Sequence, residues 1–176
     1  MNLDEFLKNH VQKSEQQKTF FHFTDTRNLD LIKKHGILSR RKAKQMGIAI
    51  PAPGGNQISI QAADALGLDQ YVSLCLKRGH PMEGAARNSG TIKDAAYLAI
   101  RPDIIKLPGV MMTGGVSNKT GIVPEAPGEV LEKLDLEVIY RRTNWKDAAV
   151  KERLKTAEKF EILVPDSVPL EYILNI

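Results

Sequence analysis

A single cysteine, Cys75, rules out a disulfide within the 176-residue chain, and no Cys/His spacing indicates a zinc site. No metal is therefore predicted. No run of apolar residues is long enough to cross a bilayer, and residues 1–5 lack the form of a signal peptide. We accordingly expect a cytoplasmic protein without a membrane partner. Because Cys75 lies in the apolar run 71–76, a small buried side chain is expected there rather than a nucleophile.

The composition is that of an ordinary globular protein, with 42% hydrophobic and 26% charged residues, and the length suits one domain, 1–176. Strands are predicted at 19–24, 58–60, 71–76, 95–100, 110–113 and 160–166, with an edge segment at 168–173. Helices are predicted over 3–18 (within an N-terminal helical segment 1–18), from Asp25 or Thr26 to His35, over 129–134 and over 147–159, while 137–140 fits either a brief strand or a helical turn. Several short strands with a few helices and no internal repeat indicate an α+β fold.

Residues 39–56 are basic at first and rich in proline and glycine later. The first part is compatible with a helix, and the second is a loop of the kind that tends to move. The net charge of +4 permits phosphate contacts with a nucleic acid without requiring them. Basic residues cluster at 40–44, 140–142 and 151–159. Either three solvated faces or a polyanionic partner accounts for these clusters.

One carboxylate, Glu161, interrupts the most strand-like stretch of the sequence, 160–166. Alternation places Phe160, Ile162 and Val164 on one face of this strand and Glu161 on the other. Such a glutamate lies at a wet sheet face, pairs with a cation, or belongs to a functional site. The first two are commoner for glutamate in general, and Lys155 or Lys159 would be the pairing cation.

Several short motifs, in order along the chain, resemble the DarT toxin family. They are Phe21–Thr24, Asn28-Leu29, Ile32, Lys34–Arg40, Tyr71-Val72, Pro81-Met82, Pro108–Val110, Thr113, Gly115, Leu134–Ile139, Phe160–Asp166 and Val168-Pro169. The resemblance covers most of the chain from Phe20 onward, and the order and spacing of the motifs make it specific. It implies the ADP-ribosyltransferase fold, a split, mixed β-core with small helices around a cleft for NAD. It also implies an NAD-dependent ADP-ribosyltransferase that modifies a nucleobase in single-stranded DNA, needs no metal, and is paired with an antitoxin of the macrodomain type.

The resemblance assigns Glu161 to the family's catalytic glutamate. Breaking the bond between ribose and nicotinamide passes through a state with oxocarbenium character, which a nearby carboxylate stabilises. His22 matches the family's histidine on the first strand, implied to orient the NAD ribose, although an isolated histidine is more often an ordinary core or surface residue. Thr24 lies on the same face of that strand, two residues further on.

Four further positions are assigned to NAD binding by the same resemblance: Asn28, Leu38, Tyr71 and Met82. The residues themselves leave alternatives open. Asn28 either bonds the cofactor or caps the helix near it. Tyr71 either stacks on nicotinamide or is a core residue with its hydroxyl satisfied. Met82 either lines the nicotinamide pocket or fills the core. His80 departs from the family pattern and receives no role.

The sequence departs from the family in its arginines. The family's second catalytic residue is an arginine between the His-Gly-x-Leu motif and the Tyr-Val strand, yet residues 58–70 contain none. Arg41 is the candidate retained for that role, although it lies early, and Arg78 lies late. Arg40, Lys42 and Lys44 are predicted to hold the phosphates of a single strand. The missing arginine leaves the acceptor open, so RNA or protein acceptors, or a catalytically silent relative that binds NAD or nucleic acid, remain alternatives.

Overall fold

The computed structural model describes residues 1–55 and 57–176. Its strands are β1 Phe20–Asp25, β2 Ile37–Leu38, β3 Tyr71–Cys75, β4 Ala95–Ile100, β5 Met111–Thr113, β6 Glu161–Pro165 and β7 Ser167–Val168. Five of them form a sheet in the order β4-β1-β3-β6-β5, and β2 pairs with β7 in a second, two-stranded sheet. Every described pair is antiparallel. The predicted α+β fold with a divided β-core is confirmed.

Helices surround the sheet. They are α1 Leu3–Phe6, α2 Leu29–His35, α3 Arg40–Gln45, α4 Gln57–Ala65, α5 Pro81–Asn88, α6 Pro127–Lys133, α7 Leu136–Tyr140 and α8 Ala148–Ala157. Short 3-10 turns cover Thr26–Asn28, Leu68–Gln70, Pro102–Lys106 and Leu170–Tyr172. Within the described ranges, no helix has the length and apolar character needed to span a bilayer.

Strand β6 is the central element for the site. Its neighbours are β3 and β5, and Glu161 lies opposite Cys75 on one side and Thr113 on the other. Phe160, Ile162 and Val164 belong to the main hydrophobic core, as alternation predicts. Since this face of β6 is buried in the core, Glu161 must point to the opposite face of the sheet.

The N-terminal helix is shorter than predicted. It runs from Leu3 to Phe6, continues as a single π-helical segment over Leu7–Val11, and ends there instead of at Lys18. Ser14 explains the difference, because its hydroxyl donates to the carbonyl of Tyr140 at 3.0 Å and accepts from the backbone N–H groups of residues 16 and 17. A side chain that satisfies local backbone groups in this way competes with the helix.

Two other predicted elements differ from the structure. Residues 58–60, predicted as a strand, lie in α4; Ile58 is 77% exposed, and the alanines that follow favour a helix over a buried strand. A break in the chain is expected at residues 79–82 from the glycine and proline there, whereas Pro81–Asn88 form α5, which begins with Pro81 in its first turn, where a missing N–H costs nothing. The ambiguous segment 137–140 is helical and lies in α7.

Helix α2 ends at Gly36, as predicted, and Gly36 also lies where the two sheets come together. Gly36 ends α2 with φ 73° and ψ −171°, a conformation that glycine tolerates, and a Cβ there would lie 2.3 Å from the carbonyl oxygen of Val168. The close approach lets β2 pair with β7, with Ile37 opposite Val168. Residues 37–38 are thereby fixed beside the end of β6.

Candidate active site

A cavity of about 230 Å³ opens beside the sheet on the face that carries Glu161. Segments from β1, the α2–β2 connection, residues 50–55, α4, β3, α5, residues 116–118 and β6 contribute to its wall. The lining includes the predicted catalytic residue Glu161 and all six residues predicted to bind NAD: His22, Thr24, Asn28, Leu38, Tyr71 and Met82. Strands and helices distant in sequence thus bring this predicted set together.

Glu161 is 5% exposed, and within the described residues its carboxylate makes no ion pair with a lysine. The backbone N–H of Ser117 donates to Oε2 at 3.0 Å. Burial raises the pKa of Glu161 to about 7, while the hydrogen bonds from Ser117 act in the opposite direction. The alternative pairing with Lys155 is not formed, since that lysine binds Glu152 at 2.7 Å. A carboxyl group that titrates near neutrality in a cavity is typical of an active site.

The turn after β5 places the Ser117 N–H. Thr113, opposite Glu161, is fully buried, and its hydroxyl donates to the carbonyl of Gly115 at 2.8 Å. Val116, Ser117 and Asn118 then line the cavity. The Oδ1 atom of Asn118 is buried without a hydrogen-bond partner in the described part of the chain, which leaves an unused acceptor on a residue of the cavity wall.

His22 on β1 lines the cavity, and so does its neighbour Phe23, so strand alternation does not keep both phenylalanines away from the cavity. Its Nδ1 is 3.0 Å from the carbonyl oxygen of Ser73, so Nδ1 carries the proton and donates. Burial lowers the pKa of His22, which favours the neutral ring. Nε2 of that ring is therefore an acceptor, suited to a ribose hydroxyl.

The Asn28 side chain makes no capping hydrogen bond to α2, and both ends of its amide bind other groups of the protein. Its Oδ1 accepts from the backbone N–H of Ala52 at 2.9 Å, and its Nδ2 donates to the carbonyl of Ala52 at 2.7 Å and to Oγ1 of Thr24 at 3.0 Å. These bonds fix the later part of the basic, Pro/Gly-rich segment 39–56 beside the cavity. The mobility predicted for that segment stays a prediction, and Asn56 lies outside the described residues.

The basic residues of α3 differ in position. Arg40 lines the cavity and makes an ion pair with Asp64. Arg41, the candidate catalytic arginine, is not among the lining residues; its Nε and Nη2 bind the two carboxylate oxygens of Asp69 at 3.1 and 2.6 Å. Lys42 and Lys44 are also outside the lining. The catalytic role of Arg41 and the phosphate contacts of Arg40, Lys42 and Lys44 stay predictions.

Arg78, the late arginine, lies elsewhere on the sheet. Its guanidinium carbon is 5.3 Å from the ring centroids of both Phe21 and Tyr97, the distance of a cation–π contact. Phe21 and Tyr97 themselves meet edge to face at 6.3 Å. This packing accounts for Arg78 without a role in the cavity.

His80 is the residue that sequence reasoning missed. It is 2% exposed, and its Nε2 lies 3.4 Å from Oε1 of Glu161. Burial lowers the pKa of His80 to about 4, so the ring is neutral near pH 7. A histidine directly before Pro81 at the start of a helix was the available signal, because such a residue is placed to cap the first turn.

Cys75 is buried, as expected, and burial together with the nearby Glu161 raises the pKa of its thiol well above the usual value. The thiol is thus the unreactive form. Within residues 1–55 and 57–176, no three His, Cys, Asp or Glu side chains converge as a metal site would require. The polar groups of the cavity lining include the Glu161 carboxyl group, the neutral His22 imidazole, the Arg40 guanidinium and several hydroxyl and amide groups.

Known proteins supply an independent comparison. The family model for DarT, described as ssDNA thymidine ADP-ribosyltransferase, matches residues 21–176. The comparison with curated proteins found no significant match.

Solved structures show the same fold. Thermosipho africanus DarTG in complex with ADP-ribose superposes with a TM-score of 0.69 at 21% identity, over 88% of this chain and 42% of that one. Thermus sp. 2.9 DarT in complex with ADP-ribosylated ssDNA gives a TM-score of 0.65 at 17% identity, over 88% of this chain and 78% of that one. The same Thermus protein in complex with NAD+ gives 0.58 at 19% identity, with the same coverage. The present chain thus spans less than half of the Thermosipho chain. The family model matches residues 21–176, well over half of the present chain, so this chain belongs to the DarT family of ssDNA thymidine ADP-ribosyltransferases.

Proposed function

We propose that this protein transfers ADP-ribose from NAD to a thymidine base in single-stranded DNA. The observation that carries the proposal is the buried Glu161 carboxyl group, which lines the same cavity as the neutral His22. Family membership supports the reaction, and complexes of the similar Thermus protein with NAD+ and with ADP-ribosylated ssDNA support the two substrates.

In this reaction the bond between ribose C1′ and the nicotinamide nitrogen breaks, and its electron pair leaves with nicotinamide. Positive charge develops on the ribose, and the Glu161 carboxylate stabilises it from within a site of low dielectric constant. The acceptor atom of the base then bonds to C1′ and loses its proton, which a carboxylate can take. The ionised form of Glu161 is the active one, so the rate rises with pH through the pKa near 7.

The remaining lining residues position NAD. The free Nε2 of His22 accepts from a ribose hydroxyl, and Thr24 offers its hydroxyl beside it. Leu38, Tyr71 and Met82 supply apolar surface for the nicotinamide ring. Residues 50–55, attached through Asn28, cover the ligand and limit the entry of water, which would hydrolyse NAD instead of allowing transfer.

The DNA strand follows the basic surface of α3 in this proposal. Lys42 and Lys44 contact phosphates, and Arg40 at the cavity rim contacts the nucleotide next to the modified base. Arg41 remains the candidate for a second catalytic residue, and this role requires that it leave Asp69. The family resemblance and the likeness to Thermosipho africanus DarTG support a further proposal, that the protein is a cytoplasmic toxin controlled by a macrodomain-type antitoxin.

The test is incubation of the protein with NAD and a thymidine-containing single strand, followed by mass spectrometry of the DNA and measurement of released nicotinamide. Glu161→Gln, which keeps the shape and removes the charge, is expected to lower the rate by at least a hundredfold, the order expected for a charge that stabilises the transition state. Glu152→Gln is the matched control, because Glu152 is on the surface of α8 and outside the cavity. An unchanged rate in Glu161→Gln would refute the assignment.

A second candidate function follows from the ion pairs of α3. Since both Arg40 and Arg41 bind aspartates, neither guanidinium is free in the described structure to act on a thymidine. This favours an acceptor other than single-stranded DNA, such as RNA or a protein side chain, or a relative that only binds NAD or nucleic acid. Parallel reactions with thymidine-containing DNA, RNA and protein acceptors would show whether the protein modifies DNA or another acceptor. NAD-dependent thermal stabilisation without nicotinamide release would identify the second.

A further inference from the structure

A buried imidazole lies beside the Glu161 carboxylate. His80 precedes α5 as its N-cap and is not among the residues that line the cavity, so it acts on the site through neighbours that do line it, one of which is Glu161. Its Nε2 is 3.4 Å from Oε1 of Glu161 and is buried without a hydrogen bond of normal geometry in the described part of the chain, although the carbonyl of Lys159 also lies near the ring. A buried donor without a partner is costly, so this atom calls for a physical explanation.

The ring of His80 is held in one orientation from two sides. Its Nδ1 accepts from the backbone N–H of Met82 at 3.2 Å, the capping bond of α5. Its face stacks on Phe23 with ring centroids 6.4 Å apart and an interplanar angle of 23°. Because Nδ1 is an acceptor, the single proton of the neutral ring is on Nε2, the atom that faces Glu161.

We propose that His80 is a positioning residue for Glu161, whose Nε2–H donates to Oε1 when NAD occupies the cavity. With the Ser117 N–H on Oε2 at 3.0 Å, both carboxylate oxygens are then fixed, and the carboxylate faces the ribose in one orientation. Hydrogen bonds of this kind are commonly long before the substrate binds. The inference rests on the proposed role of Glu161 in ADP-ribosyl transfer.

The protonation states suit this role. Burial lowers the pKa of His80 to about 4, with the carbonyl of Lys159 acting in the opposite direction, so the ring stays neutral throughout the working range. Glu161 titrates at about 7. A neutral donor favours the ionised carboxylate over the protonated form, because hydrogen bonds to a charged group are the stronger ones. Removal of the donor therefore raises the pKa of Glu161.

Other titratable groups around the pair do not supply this donor. Cys75 of β3 is held as a thiol because burial raises its pKa, and His22 of β1 has its pKa lowered by burial. Glu83 of α5 has its carboxylate bound by Arg87 at 2.8 Å. Within the described residues, Ser117 is the hydrogen-bonded partner of the Glu161 carboxylate, so an acid limb in the rate reports on Glu161 and its donors.

Two neutral variants separate positioning from structure. His80→Asn keeps an acceptor near the Nδ1 position to cap the N–H of Met82 and loses the donor toward Glu161. His80→Gln places an amide N–H near the former Nε2 position and serves as the conservative variant. For each, the pH dependence of nicotinamide release is measured with saturating NAD and single-stranded DNA. The carboxyl titration of Glu161 is followed separately by carbon NMR, with its resonance assigned by its loss in Glu161→Gln.

In the wild-type protein we expect an acid limb near pH 7. In His80→Asn the limb moves up by about one pH unit, which lowers the rate about tenfold at pH 6 and little at pH 9. His80→Gln returns the limb toward the wild-type position. The same shifts are expected in the NMR titration.

A purely structural role would lower the rate equally at every pH and leave the titration of Glu161 in place, and that result would overturn the inference. Donation from His80 to the carbonyl of Lys159 alone would give the same negative result. A wild-type protein that consumes no NAD would refute the proposed function instead, while the NMR titration would still decide whether His80 governs Glu161. The two failures are therefore distinguishable.

Discussion

Replacing the buried Glu161 carboxylate should make this protein more stable above neutral pH. The pKa of Glu161 rises from 4.5 to about 7 on folding, mainly through burial. One pKa unit corresponds to about 1.4 kcal/mol, so ionised Glu161 destabilises the fold by about 3 kcal/mol. Because the folded-state pKa is the higher one, stability is fully present below pH 4.5 and is lost as the pH rises through 7. Glu161→Gln removes this loss.

The assay is urea unfolding of the wild type and Glu161→Gln at pH 5 and at pH 8. We expect the free energy of unfolding to be higher in the variant by about 1 kcal/mol at pH 5 and by about 3 kcal/mol at pH 8, which corresponds to a rise in Tm of about 6–12 °C at pH 8. Glu152→Gln, on the exposed surface of α8, serves as the control and should not change the pH dependence beyond a small amount. Parallel pH profiles for the wild type and Glu161→Gln would refute the account of a desolvated carboxylate.

Three other predictions concern the frame of the cavity. Gly36→Ala, which places a Cβ against the carbonyl of Val168 at positive φ, should lower the free energy of unfolding by at least ~2 kcal/mol in urea titrations, and an unchanged midpoint would contradict it. Asn28→Ala leaves both backbone groups of Ala52 unpaired, so we expect a rise of about tenfold in the KM for NAD (~1.4 kcal/mol) and a lower Tm; equal KM values would show that the attachment is unimportant. Native Cys75 should resist iodoacetamide at pH 8 and react only in denaturant, as followed by mass spectrometry, whereas rapid native labelling would indicate an exposed thiolate.

The sequence predicts strand β6 well because its local pattern and its tertiary environment agree. Phe160, Ile162 and Val164 lie in the core as expected, and Glu161, the residue that does not fit an apolar strand, lines the cavity. Strand β1 and the end of α2 at Gly36 were equally predictable, since each depends on the chemistry of a few adjacent residues. Periodicity failed at 58–60, where two isoleucines outweighed the helical preference of the alanines that follow.

Partners from distant segments could not be read from the sequence. The contact of His80 with Glu161 depends on the position of α5 relative to β6, and no spacing in the sequence encodes that position. The role of Asn28 was likewise obscured, because its amide bonds Ala52, which lies 24 residues away. The family resemblance suggested a catalytic role for Arg41, whereas the structure shows this residue in an ion pair with Asp69.

The pairing of β2 with β7 has a consequence for when the protein becomes active during synthesis. β2 can pair with β7 only after Val168 has been synthesised, and β3 can pair with β6, which carries Glu161, only after residues 161–165 have been synthesised. A nascent chain that lacks the segment after residue 160 therefore lacks the carboxyl group that we propose for catalysis. Under the proposed function, incomplete chains released by stalled ribosomes could not transfer ADP-ribose to DNA.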